Sequence, residues 1–184
     1  MKREFKIGNK KIGINHPTYF IADIAANHDG DLSRAIDLIW KSKEAGADCA
    51  KFQHFEARKI VSDYGFSEMK DQLSHQASWS KSVFEVYDQY HTKKEWTEDL
   101  ISECKKAEIE FMTTPYDFDA IELFSAFVPA FKIGSGDITF LESLKLASKY
   151  KKPILLATGA SDLEEVKKAV DTILALNDDL CLMQ

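Results

Sequence analysis

The chain has 184 residues, 45% hydrophobic and 29% charged, which is ample material for a soluble globular core. A net charge of −6 without a basic block argues against nonspecific nucleic-acid binding, and no apolar run approaches the ~20 residues of a membrane span. Met1-Lys2-Arg3 leads into polar sequence instead of a signal peptide, and the three cysteines lack metal or redox spacing, so they read as buried free thiols of a cytoplasmic protein.

Residues 5–14 read as a hairpin turning at 8–10. Residues 20–25 are a short apolar run broken by Asp23, followed by the loop Asn27-His28-Asp29-Gly30 and by Asp31, placed to cap a helix. Leu32, Ala35, Ile36, Ile39 and Lys43 recur at helical spacing, Gly46 supplies a left-handed stop, and residues 49–53 begin the next strand. A right-handed crossover lays these two strands parallel. Residues 54–90 form a long polar and aromatic connection, with short helices expected around 67–72 and 81–90; connections of this length are usually functional or mobile.

Thr92-Lys93-Lys94-Glu95 reads as a capping box for a helix whose buried stripe is Trp96, Leu100, Ile101 and Cys104. A strand follows at 110–114, then a helix marked by Ile121, Leu123, Phe124 and Phe127, and a strand at 130–133. Thr139-Phe140-Leu141-Glu142 is a second capping box, residues 153–157 are a strand, and Ser161-Asp162-Leu163-Glu164 is a third box opening a helix through Leu176. A last strand is expected at 180–183. No internal repeat or linker divides the chain.

The period of two along a strand sorts the polar residues. Ile21, Asp23 and Ala25 share one face of their strand, and Cys49, Lys51 and Gln53 share one face of the next. The intervening helix must cover the purely apolar faces, which drives Asp23, Lys51 and Gln53 together on the inner side. An unpaired charge there would cost several kcal/mol, on the order of the penalty for an isolated buried ion. Either these charges pair or they await a charged ligand.

Six predicted strands alternating with helices imply an α/β fold with a parallel sheet. An open doubly wound sheet and a closed (β/α)8 TIM barrel compete. The barrel is favoured by polar groups at the C-terminal ends of successive strands and by the lack of a Gly-x-Gly-x-x-Gly turn after the first. A full barrel usually takes ~250 residues, so residues 1–184 are expected to be its N-terminal portion, about two strands short.

The chemistry gathers at those strand ends. Lys132-Ile133-Gly134-Ser135-Gly136-Asp137 offers a cation, a hydroxyl and backbone N–H groups that glycines leave accessible to an anion. Thr113-Thr114-Pro115 and Thr158-Gly159 end neighbouring strands. With Lys51 these make a phosphate or carboxylate clamp, while Asp23 and Asp137 offer acceptors for sugar hydroxyls or for proton transfer. Each residue alone has an ordinary reading: Lys51 and Asp23 as a structural ion pair, Lys132 as a snorkelling side chain, Gly134 and Gly136 as turn residues, His28 as a loop hydrogen-bonder. The combination at successive strand ends carries the argument.

The segments IADIAANHDGD, AGADCAKFQ, TTPYD, FKIGSGD and KPILLATGASDLEEVKKAV, with the FKIGNKKIG hairpin before them, stand in an order that resembles the sialic acid synthase family (N-acetylneuraminate, legionaminic and pseudaminic acid synthases). The resemblance implies a TIM barrel that condenses phosphoenolpyruvate with an N-acylated aminosugar, giving a nonulosonic acid and phosphate. It implies a divalent metal, Mn²⁺ or Mg²⁺, that polarises the open-chain aldehyde, with its ligands and a small antifreeze-like domain beyond Gln184, and a homodimer at full length. On the matching positions, Asp23, Lys51, Lys132 and Asp137 take catalytic roles. Lys51, Thr114, Lys132 and Ser135 match contacts to phosphoenolpyruvate, Gln53 and Asp137 match positions facing the sugar, Tyr116 is a further substrate-binding position, and Asn27 and His28 match an Asn-His motif after the first strand. The family commonly has Glu where this chain has Asp23 and Asp137, and often Ser where it has Ala157. The alternatives are another barrel enzyme using phosphoenolpyruvate or a sugar phosphate (a keto-acid synthase or an aldolase) and a non-catalytic binding fragment.

Overall fold

Short β-rich runs followed by amphipathic helices assemble here into an arc of parallel strands with helices on its outer side. The computed structural model describes residues 4–68, 78–159 and 161–184. The expected hairpin is β1 (Glu4–Ile7) and β2 (Lys10–Gly13), antiparallel, with Phe5 opposite Ile12. The first crossover unit follows: β3 (Ile21–Ala25), α1 (Leu32–Glu44) and β4 (Cys49–His54). Asp31 caps α1 by accepting the backbone N–H groups of Ser33 and Arg34, and Gly46, at φ 85°, takes the left-handed turn that ends it.

Two short helices, α2 (Ala57–Ile60) and α3 (Asp63–Glu68), and then α4 (Val83–Tyr90) occupy the long connection. The helix expected around 67–72 coincides with the end of α3 at Ser67 and Glu68; positions 69–72 lie outside the described residues. The remaining elements are α5 (Thr97–Lys106), β5 (Glu110–Pro115), α6 (Phe118–Phe124), β6 (Phe131–Ile133), α7 (Leu141–Lys149), β7 (Ile154–Ala157), α8 (Leu163–Leu174) and β8 (Leu180–Met183).

Strands β3-β4-β5 form one parallel sheet and β6-β7-β8 a second, beside the β1-β2 hairpin. β5 lies alongside β6, but among the described residues no ladder joins them. The arc is therefore a partial barrel in two sheets, not the one continuous sheet that a barrel reading implies. The break falls at β6, which has only three residues and gives its ladder to β7.

The outward faces carry Ala50, Phe52, Phe111, Phe131, Ile154 and Leu156, which pack against Ala35 and Ile39 of α1, Leu100 of α5, Ile121 and Phe124 of α6, and Leu144 of α7. Ile39 is fully buried in this layer, so Ile39→Ala would cost about 2–5 kcal/mol. The inward residues near the strand starts, Cys49, Met112, Ala130 and Leu155, pack against Ile7, Phe5 and Ile12, so the hairpin plugs that end of the arc. Of the three thiols, Cys49 and Cys104 are buried and Cys181 is half-buried. No described helix is long and apolar enough to cross a membrane.

Three caps differ from the sequence expectation. Thr92 does not cap α5: its buried hydroxyl is hydrogen-bonded to His28, and a 3₁₀ turn, Lys94–Trp96, leads into the helix. A buried imidazole left unpaired would cost more than a missing cap. Thr139 does not cap α7, because the 3₁₀ turn Ser135–Asp137 delivers the chain through a backbone bond from Phe140 N–H to Asp137 O at 2.9 Å. The third box is shifted by one residue. Asp162 accepts from Glu165 N at 2.8 Å, and Glu165 returns the bond to Asp162 N at 3.0 Å. The apolar spacing of Val166, Ala169, Val170 and Ile173 is the same for either cap, and the helix dipole favours the carboxylate. Asp117, which caps α6 by accepting Ala120 N at 2.9 Å, had no capping box to announce it, and Phe127 lies past the end of that helix.

Candidate active site

The C-terminal end of β3 is irregular. The register with β4 slips between Asp23 and Ala25, and Ala25 takes a left-handed φ of 50°. Bulges of this kind bend a strand and re-aim its side chains. Asp23 is left opposite Lys51, with its Oδ1 2.7 Å from Lys51 Nζ. The partners are unequal: the Lys51 side chain is only 5% exposed, whereas that of Asp23 is 63% exposed. Water screens the aspartate, so it acts as a replaceable counterion to a buried ammonium.

Lys132, on β6, shares this mouth. Its ammonium is half-buried and donates to the carbonyl of Ile133 at 3.2 Å. Burial first, and then repulsion from Lys51, lower its pKa below the ordinary lysine value, with Asp23 opposing. Ser135, in the turn after β6, sets its hydroxyl against Gly159; a methyl on Gly159 would fall 2.6 Å from Ser135 Oγ. Only glycine at 159 admits that approach. Thr114 is buried on β5, opposite Gln53.

Further along the inner face of β4, the Gln53 side-chain amide donates to the Tyr116 hydroxyl at 2.9 Å. Tyr116 packs edge-on to Phe55, with ring centroids 5.8 Å apart. Burial raises its pKa, with Asp137 the next contributor. The Asp137 carboxylate is itself held above the usual carboxylate range by burial alone.

The structure thus gathers two groups: Asp23, Lys51 and Lys132 with Thr114 and Ser135 at neighbouring strand ends, and Gln53, Tyr116 and Asp137. Asn27 and His28 stand apart. The Asn27 amide donates back to Ile24 O at 2.9 Å. His28 is fully buried, with Nδ1 accepting Gly30 N–H at 3.1 Å, Nε2 3.0 Å from Thr92 Oγ1, and the ring edge-on to Trp96. Both ring nitrogens already have protein partners, and burial lowers the pKa; His28 pins the loop after β3 to the start of α5. His54, which sequence reasoning placed in a connection, is the last residue of β4. It points outward, with Nδ1 2.8 Å from Thr113 Oγ1 and its ring 4.2 Å from that of Phe124. A cavity of about 470 Å³ beside it lies on the helix side, among Phe84, Asp88 and Leu123, and neither Lys51 nor Lys132 lines it.

The NeuB family profile matches residues 38–184. This chain belongs to the NeuB family. It is 35% identical over 168 residues to the N,N'-diacetyllegionaminic acid synthase of Legionella pneumophila, covering 90% of this chain and 46% of that protein. The crystal structure of the spore coat polysaccharide biosynthesis protein SpsE from Bacillus subtilis superposes with a TM-score of 0.78 at 31% identity, over 98% of this chain and 47% of that one. The N-acetylneuraminic acid (sialic acid) synthetase of Leptospira borgpetersenii serovar Hardjo-bovis has a TM-score of 0.84 at 24% identity, over 97% and 57%, a likeness of fold. This NeuB-family chain spans about half the length of the curated relatives it matches. Among its described residues no group of three or more His, Cys, Asp and Glu side chains could hold a metal ion, so the divalent metal implied by the resemblance does not fit the residues of this part of the fold.

Proposed function

We propose that residues 1–184 are the N-terminal part of a closed (β/α)8 barrel whose full-length protein condenses phosphoenolpyruvate with an N-acylated aminosugar. The observation that carries this reading is the pair of inward lysines. Lys51 has a solvent-exposed counterion, and among the described residues Lys132 donates to a backbone carbonyl and makes no ion pair. Two ammoniums at one mouth, with the Ser135 and Thr114 hydroxyls at neighbouring strand ends, suit a ligand bearing a phosphate and a carboxylate. The synthase names among the relatives support the same reaction class.

In this reaction C3 of phosphoenolpyruvate attacks the aldehyde carbon of the open-chain sugar, and the aldehyde oxygen takes a proton to become a hydroxyl. Water adds to C2 of the former enol, and phosphate leaves with C–O cleavage. Lys51 and Lys132 hold the anion, Asp23 gives up Lys51 as the phosphate arrives, and Gln53, Tyr116 and Asp137 face the sugar. The test is phosphate release by the full-length protein with phosphoenolpyruvate and N-acetylmannosamine, with the product identified by mass. Phosphate release without a new C–C bond would overturn the reading.

A second reading rests on Lys132. A desolvated lysine with a lowered pKa is what a Schiff-base aldolase needs. Borohydride reduction with a keto substrate would trap it as a mass increase on Lys132, whereas a synthase leaves Lys132 unmodified.

A further inference from the structure

The proposed reaction uses no residue of the long connection after β4, yet helices of that connection enclose space. Residues of α2, α4 and α6 wall the cavity of about 470 Å³, a volume within the range of small-ligand sites. Phe55, Phe84, Leu123 and Phe124 give it apolar walls. Of its charged residues, Arg58 and Lys59 are engaged by Glu56, Asp117 and Asp119. Asp88, Glu95 and Lys94 form no ion pair among the described residues, so the uncommitted charges are two carboxylates against one ammonium.

His54 is part of the same lining. It is 4% exposed, its ring packs on that of Phe124, and its Nε2 has no hydrogen-bond partner among the described residues. Thr113 Oγ1 donates onward to Thr114 O at 3.4 Å, so it accepts from His54 Nδ1, and Nε2 is left as the acceptor of the ring. Burial keeps that ring neutral, with its pKa down at about 3. A buried acceptor without a partner is unfavourable, and a donor brought into the cavity relieves it. Acceptor, surplus carboxylates and aromatic walls together describe the complement of one chemical class. We propose that this cavity is a second binding site, separate from the lysines, for a small organic amine. The apolar body of the ligand lies against Phe55, Phe84 and Phe124, and its N–H groups meet His54 Nε2 in the field of Asp88 and Glu95. The site stands whether or not the chain is part of a synthase.

The experiment measures binding of three probes to the full-length protein by calorimetry: 2-phenylethylamine, the neutral 2-phenylethanol and the anion phenylacetate. The amine is expected to bind saturably at one site, about fivefold or more tighter than the alcohol, with the anion weakest. Saturating phosphoenolpyruvate should leave the amine's dissociation constant where it is, because neither Lys51 nor Lys132 lines the cavity. His54→Asn keeps a group for Thr113 but removes Nε2, and should weaken the amine about tenfold, the loss of one hydrogen bond to a charged group. Asp88 is exposed, so Asp88→Asn tests the field without risk to the core; it should weaken the amine about threefold and leave the alcohol unchanged. Thermal midpoints are taken for both variants, and Asp88→Asn decides alone if His54→Asn does not fold. No saturable binding, equal affinity for the three probes, displacement of the amine by phosphoenolpyruvate, or unchanged amine binding in the folded variants would each overturn the inference.

Discussion

Among the described residues, Asp23 forms an ion pair with Lys51 and none with Lys132 at the same mouth of the strand arc. Lys51 Nζ is 2.7 Å from Asp23 Oδ1, whereas Lys132 Nζ has the Ile133 carbonyl at 3.2 Å. If the full-length protein catalyses the proposed reaction, Lys51→Met and Lys132→Met should each lower kcat/KM for phosphoenolpyruvate by ten- to two-hundredfold or more, the equivalent of ~1.5–3 kcal/mol for a charge-assisted contact. Their effects on stability should differ. Lys132→Met removes a desolvated cation repelled by Lys51 and should leave the urea midpoint equal or higher. Phosphoenolpyruvate titration beside urea unfolding checks both, and unchanged affinity in both variants would remove the clamp.

Ala157 stands at the inward end of β7, next to the turn carrying Thr158 and Gly159. Ala157→Ser adds a hydroxyl at the mouth. It should tighten phosphoenolpyruvate binding by at most ~1.5 kcal/mol, the upper end for one neutral hydrogen bond. A raised KM would mean that the existing hydroxyls already satisfy the anion and that the added group crowds it.

His28 is expected to matter through the fold. Truncating a fully buried ring with two hydrogen bonds and an edge contact to Trp96 should cost roughly 2–4 kcal/mol. His28→Ala should therefore lower the denaturation midpoint well before it changes the pH profile of the rate. A profile that loses an ionisation near neutrality, with the midpoint unchanged, would place His28 in the chemistry instead.

His54 gives the fold an acid sensitivity. Burial holds its pKa down at about 3 against an ordinary 6.5. Between those values the unfolded chain binds the proton and the native chain does not. The stability is fully present above pH 6.5 and is lost as pH falls toward 3, at up to about 1.4 kcal/mol per pH unit. His54→Asn, which can still bond Thr113, should flatten that part of the unfolding curve measured from pH 7 to 4. An unchanged slope would assign the sensitivity to other groups.

The strand and helix order was legible because period-two alternation and the Asp31 and Gly46 signals are local. The same alternation put Asp23 and Lys51 on one side, where the structure pairs them. Thr92 and Thr139 misled because capping boxes are read over four residues, whereas Thr92 is bonded to a histidine on a different element and Thr139 follows a turn already set by its backbone. The left-handed Ala25 and the register slip beside it leave no trace in residue type. The outward direction of His54 was hidden by reading β4 as one residue shorter, and the break between β5 and β6 depends on ladder geometry that no side-chain pattern records.

The β1-β2 hairpin, seated on Cys49, Met112, Ala130 and Leu155, covers the end of the strand arc opposite the lysines. Lys51 lies one inward rung below Gln53 on β4, so a molecule resting on Gln53 and Tyr116 stands between the lysines and the outside. In the closed barrel proposed above, this predicts an order of binding: phosphoenolpyruvate first and the sugar second, with phosphate leaving only after the new acid.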